Sequence, residues 1–142
     1  MDTAATLKRG FFKGLALAAE MVKVIVPFYL LVELLRYFGF ISLIGHACGP
    51  FMGLFGLPGE SALALVAGYT ANLYAALAVL TPLHLSSRDV TTVALMLGIS
   101  HSLPVETSVM RKTGVNAWFL LLVRMVLSLV VGIVLNLIWK LF

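Results

Sequence analysis

Charge is what this sequence has least of. Of its 142 residues, 10 are Lys or Arg and 6 are Asp or Glu, 11% in all, where a soluble domain carries about 25%. Leu63–Leu83 has no charge at all, Val115–Trp139 has only Arg124, and Val24–Leu35 has only Glu33. A water-soluble surface cannot be made from such a chain. A membrane-spanning helix needs about 20 apolar residues, and the first two stretches supply them. With 61% hydrophobic residues, the chain reads as an all-α integral membrane protein.

Other absences narrow the function. Cys48 is the single cysteine, so no intrachain disulfide can form. No small-residue cleavage site follows a short apolar core near the start, so no signal peptide is expected. The net charge of +4 comes from basic residues scattered at the ends of apolar segments. They read as topology determinants, and no nucleic-acid partner is expected. No nucleophile–base set, phosphate loop or zinc motif is present, so an enzyme is not expected, nor any metal site or cofactor beyond a coupling Na⁺ or H⁺.

What is present is a repeat. Leu57-Pro58-Gly59-Glu60-Ser61 returns 46 positions later as Leu103-Pro104-Val105-Glu106-Thr107, and the register continues with Gly68 against Gly114 and Ala71 against Ala117. A proline and a carboxylate inside apolar sequence break a helix and desolvate a charge. Two broken segments at matching positions point to a binding site between two halves. The reading is a single domain over residues 1–142, with N-terminal helices over 1–38, one repeat over 39–84 and a second over 85–142.

In chain order, residues 5–23 are amphipathic. Lys8, Lys23, Arg9, Glu20 and Lys13 share an arc of about 140°. The segment either lies in the membrane interface or leads into a first span at 22–38, which Pro27 would kink and a Glu33–Arg36 pair would anchor. Residues 40–67 carry too many glycines and prolines for one helix and predict a helix-break-helix hairpin, with a short span at 69–83. Residues 90–112 predict a second hairpin broken at Pro104. Residues 116–139 predict the last span, with Trp139 and Lys140 at its end.

With the N-terminus cytoplasmic and each hairpin re-entrant, Lys8, Arg9, Lys13, Arg88, Arg111 and Lys112 lie inside, leaving Arg36 and Lys140 outside. The two hairpins then enter from opposite faces as inverted repeats. The competing topology makes each hairpin a full crossing and moves Arg88 outside. Either way the expected location is the cytoplasmic (inner) membrane, multi-pass, in contact with lipid.

Glu60 and Glu106 lead the candidate site, with Ser61 and Thr107 beside them. Each carboxylate follows a break, near free backbone N–H groups. It could bind a polar solute, bind a cation, carry a proton, or cap the helix it begins. Around the breaks stand Asn72 and Asn116, Tyr69, Thr70 and Tyr74, and Ser100, His101 and Ser102. His101 with Glu106, or His46 with Cys48, is too few ligands for a metal. Arg124 faces protein or snorkels.

These residues resemble the nucleoside-recognition, or Gate, family of membrane proteins. The resemblance lies in Gly53-Leu54-Phe55-Gly56-Leu57-Pro58-Gly59-Glu60, in Asn72-Leu73-Tyr74 and in Ser100-His101-Ser102-Leu103-Pro104-Val105-Glu106-Thr107, and it covers about residues 20–140. It is strongest to the short stand-alone members, including spore maturation proteins. It is more distant to the gate regions of concentrative nucleoside transporters and of the ferrous-iron transporter FeoB. The resemblance implies two hairpins holding a ligand, with Glu60 and Glu106 as their carboxylates. It also implies Thr70, Asn72 and Asn116 as ligand-facing residues on the helices that follow. The expected function is transport, or transport-linked binding, of a small polar solute such as a nucleoside. Divalent metal or proton passage is one alternative. A non-transporting scaffold subunit is the other. A homo-oligomer, or pairing with a related Gate-type subunit, is expected because so small a chain leaves broken backbone to cover.

Overall fold

The computed structural model describes residues 3–141 and, over them, is helical without strands. The first helix, α1, runs unbroken from Thr3 to Tyr37, about 52 Å at 1.5 Å per residue. The amphipathic stretch and the first span are therefore one helix, continuous through Pro27. Glu33 and Arg36 lie 3.9 Å apart near its end, as their spacing predicts. Arg36 also donates to the Pro82 carbonyl at 3.0 Å.

Residues 40–67 are interrupted where the glycines predict. The second helix, α2, spans Phe40–Met52, a 3-10 turn takes Gly53–Phe55, and a turn through Gly56–Glu60 leads into α3, Ser61–Thr70. The expected span at 69–83 is instead divided. Asn72 ends α3 and starts α4, Leu73–Leu80, followed by a 3-10 turn, Thr81–Leu83. At about 15 Å and 12 Å, neither α3 nor α4 can cross a membrane alone. They fold back on each other, with Gly68 packed against both Ala76 and Leu97.

The next helix, α5, is Ser87–Ile99, started by a capping box of Ser86 and Asp89. The chain breaks at Ser100–Ser102, ahead of Pro104. The proline sits in the first turn of α6, Leu103–Lys112, where its missing N–H breaks no bond. Asn116 then caps α7, Ala117–Leu141, by accepting from the Phe119 N–H at 3.2 Å. Three stretches have the length and hydropathy to span a membrane: 6–37, 87–112 counting α5 and α6 together, and 117–141, with mean hydropathies of 2.0, 1.2 and 2.6. The outer faces of α1 and α7 are exposed and apolar, with Leu30, Leu34, Leu122, Val126 and Leu137 among them, as lipid contact requires.

Contacts along α7 give the direction of the rest. Arg88 lies over the Trp139 ring at 5.4 Å and Trp139 bonds Thr92. Ser128 bonds the Met96 carbonyl, Arg124 bonds the Ile99 carbonyl and pairs with Glu106, and Arg111 lies over Trp118 at 5.2 Å. So α5 and α6 together run antiparallel to α7, from its Trp139 end to its Trp118 end, about 32 Å. The sequence predicts a return at Pro104; the chain instead continues, because Pro104 begins a helix and does not reverse one. The first break meets α7 at Asn136, which bonds Leu54 O, and Tyr69 of α3 reaches Ser128. Thus α3 also runs toward the Trp118 end, in the same direction as α6. The helices that follow the two Leu-Pro-x-Glu copies thus share one direction along α7.

The tightest backbone approach is at the first break. A Cβ on Gly59 would sit 2.0 Å from the Gly45 carbonyl oxygen, whereas one on Gly49 would meet nothing within 4 Å. Gly59→Ala should force α2 away from the break and cost about 1–3 kcal/mol. Gly49→Ala should raise stability by up to about 1 kcal/mol, since alanine is the better helix former and meets no neighbour there. Thermal melts of the two variants in detergent check the pair of outcomes.

Candidate functional site

Position 124 begins a stripe of four on α7: Arg124, Ser128, Gly132 and Asn136, each four residues from the next. Residues at that spacing share one helix face. This face looks into the bundle, where Ser128, Gly132 and Asn136 are buried. Each polar member donates to a carbonyl at or near the end of a broken helix. Asn136 Nδ2 donates to Leu54 O at 2.9 Å, Ser128 Oγ to Met96 O at 2.7 Å, and Arg124 Nε to Ile99 O at 3.0 Å. Helix ends leave carbonyls such as Ile99 O without a helical partner, and in lipid they cannot turn to water; Met96 O also accepts from the Ser100 N–H at 3.2 Å. Gly132 admits Phe55 and Met96 side by side; a Cβ there would lie 2.7 Å from each.

The second break carries the densest set of polar groups. Ser102 holds a left-handed backbone, φ 48°, a strained conformation for a non-glycine residue. Its N–H is fixed to the Gly68 carbonyl at 2.9 Å. This places His101 and Glu106 on one side. The His101 Nδ1 lies 3.1 Å from Leu97 O. A carbonyl only accepts, so Nδ1 carries the hydrogen, and a neutral ring then presents Nε2 as an acceptor. That nitrogen faces Glu106 Oε1 at 3.6 Å, another acceptor. The other Glu106 oxygen pairs with the Arg124 guanidinium. Ser100 Oγ, fully buried at the same break, has no partner among the described residues. The cluster is partly open: the side chains of Arg124, Glu106 and His101 are 21%, 29% and 32% exposed.

Glu60 lies elsewhere. It occupies the cap position of α3 but makes no side-chain capping bond. Instead its side chain lies against Gly45, in a cavity of about 280 Å³ lined by Ser42, Gly45, His46, Gly59 and Glu60. Glu60 and Glu106 thus have separate sets of neighbours.

The other candidates divide. Ser61 is buried and donates to Pro58 O, holding the turn. Thr70 is exposed and bonds its own helix at Val66 O. Asn72 caps α4 by accepting from Ala75 N at 2.9 Å, just as Asn116 caps α7. Thr107 lines an apolar cavity of about 590 Å³ with Leu103, Pro104, Ser108, Arg111, Trp118 and their neighbours. Tyr69 is joined to Ser128 at 2.8 Å. Among the described residues, no three His, Cys, Asp or Glu side chains come together as metal ligands do. Asn136 and Ser128 are absent from the sequence candidates, and Arg124 appears there without a partner. Their shared spacing of four was the signal.

Comparison with known proteins adds three findings. The family described as nucleoside recognition (Gate) matches residues 18–116. A Bacillus subtilis (strain 168) protein named as the uncharacterized membrane protein YvoD is 41% identical over 137 residues, which cover 94% of this chain and 44% of that protein. The chain therefore spans less than half the length of that relative. No solved structure matches.

Ser128→Ala would leave the Tyr69 hydroxyl without its partner and would remove one of the two donors on the Met96 carbonyl, which keeps the Ser100 N–H. It should cost about 1–3 kcal/mol, the desolvation penalty of a buried group left unpaired. Adding Tyr69→Phe should recover part of that loss, since the stranded hydroxyl goes too. Unfolding of the single and double variants in mixed micelles measures both steps.

Proposed function

The chain belongs to the nucleoside-recognition (Gate) family of membrane proteins, and from that premise we propose that it binds a small, uncharged polar solute of nucleoside type within the membrane, for transport or as a step linked to transport. The observation that carries this reading is the His101–Glu106 pair at the second break. His101 Nε2 and Glu106 Oε1 face each other at 3.6 Å, and an N–H or O–H donor from a solute placed between them satisfies both. Ser100 Oγ supplies a further unpaired polar group nearby. Nucleobases and riboses carry donors of this kind.

Charge favours the same class. Arg124 neutralises Glu106, and a guanidinium at the site repels a divalent cation. The metal or proton alternative rests instead on the Glu60 cavity, where His46 is the neighbouring titratable group. Glu60 would contact the solute, or a coupling H⁺, along the path. The scaffold alternative requires that neither carboxylate matter for binding.

The membrane arrangement is part of the proposal. The short pair α3–α4 is the re-entrant element, dipping from the Trp139 end and returning. The stretch α5–α6 is a broken crossing. Lys8, Arg9, Lys13, Arg111 and Lys112 then gather at the cytoplasmic end, with Arg36, Arg88 and Lys140 opposite. The N-terminus is cytoplasmic and the membrane is the cytoplasmic one. A second copy, or a related Gate-type subunit, covers the part-open cavity at Glu60, since irregular backbone at membrane depth must face protein or water.

Thermal shift of the purified protein against nucleosides, nucleobases, Fe²⁺, Mn²⁺ and Zn²⁺ tests the reading. A nucleoside at a hundred times its Kd should stabilise the wild type by about 2.7 kcal/mol, and Glu106→Gln should abolish the effect. Stabilisation by the metals alone, lost in Glu60→Gln, would move the function to ion passage. No shift from any compound, with both variants as stable as wild type, would favour the scaffold.

A further inference from the structure

The oxygens at the second break are gathered as for a cation, and the chain supplies the positive charge itself. Ile99 O is among the last carbonyls of α5, where a helix concentrates partial negative charge. The Glu106 carboxylate stands beside it across the break. Carbonyl and carboxylate oxygens are the ligands that hard cations take. Here both are taken by one guanidinium: Arg124 Nε donates to Ile99 O at 3.0 Å and the Nη1 end pairs with Glu106. The other group facing the pair is His101, whose Nδ1 is committed to Leu97 O.

We propose that Arg124 is a resident cation, filling from within the chain the place that a coupling ion would take at this break, so that solute binding is independent of Na⁺. The solute half of this inference rests on the function proposed above. The resident-cation half does not. Arginine suits the role on two grounds. Its planar fork meets oxygens from two different elements at once. It is also part of the chain, so it cannot leave the break when an ion gradient changes.

The test compares melting of ligand-free protein in NaCl and in choline chloride at equal ionic strength. Wild type should melt at the same temperature in both; a higher melting temperature in Na⁺ would overturn the proposal. Arg124→Ala should melt lower in choline, by about 5 °C or more for a loss of a kcal/mol or so. Na⁺ or millimolar methylguanidinium should restore part of the loss, whereas no cation should alter wild type. A variant as stable as wild type in choline, or one that no cation restores, would refute it.

If Arg124→Ala does not fold, Glu106→Gln/Arg124→Met becomes the deciding protein. It removes both charges and should fold, because a part-buried charge left alone is what destabilises. Failure of this double variant would mean that Arg124 acts by packing, against the proposal. In wild type, the shift caused by a nucleoside should be equal in both salts. Absence of any nucleoside shift would sink the solute reading and leave the ligand-free comparison to decide Arg124.

Discussion

Backbone carbonyls that no helix can satisfy are the constraint on which this structure turns. The chain interrupts its helices at Gly53–Glu60, at Ala71–Asn72 and at Ser100–Ser102. Each interruption strands acceptors that in lipid would cost several kcal/mol apiece. The Asn136, Ser128 and Arg124 stripe of α7 meets carbonyls of α5 and of the turn after α2, and Asn72 meets an orphan N–H at the start of α4. A continuous helix, with its own backbone satisfied, thereby serves as the post against which broken ones are held. That is why α7 can be so apolar and yet carry three polar residues on one face. Each of the three has a backbone partner, and the lipid-facing side has none to serve.

The same stripe sets up the chemistry. Arg124 bonds the end of α5 and pairs with Glu106 of α6, so it bridges the break while neutralising its carboxylate. Breaking a part-buried pair of this kind leaves the surviving charge stranded. Retaining it is reasonable only if the open geometry is itself useful. The strained Ser102 and the unpaired Ser100 hydroxyl point the same way, as strain and unmet polar atoms concentrate where ligands bind. The break is thus held open by α7 and lined with acceptors that this chain leaves partly unmet.

Much of this was legible in the sequence. The low charge identified the membrane, the clustering of glycine and proline located the first interruption, and the two Leu-Pro-x-Glu copies marked both carboxylates. What was not legible was direction. Pro104 looks like the breaking residue, but proline is tolerated in the first turn of a helix, so the chain breaks three residues earlier and continues. Whether a broken segment returns or goes on depends on what it packs against, and the partners of α5 here are 25 to 47 residues away on α7. Asn72 and Asn116 looked like ligand contacts for the same reason that they are good caps: a short polar side chain at a helix start serves either purpose. The spacing of Arg124, Ser128, Gly132 and Asn136 was present in the sequence throughout. It passes unnoticed when an apolar run is read for its hydropathy and not for the face on which its exceptions fall.

The two repeat copies show how far like sequence can diverge in role. Glu106 is met by a guanidinium from α7. Glu60 has no ion-pair partner among the described residues and lies beside the glycine crossing of α2 and the first break, within reach of Ser42 and His46. An equivalent of Arg124 for Glu60 would have to come from the helix that follows it, and α4 is eight residues long and uncharged. The truncated helix is therefore what separates the two carboxylates. One is neutralised and fixed inside the chain. The other has no ion-pair partner among the described residues and lines a part-open cavity instead.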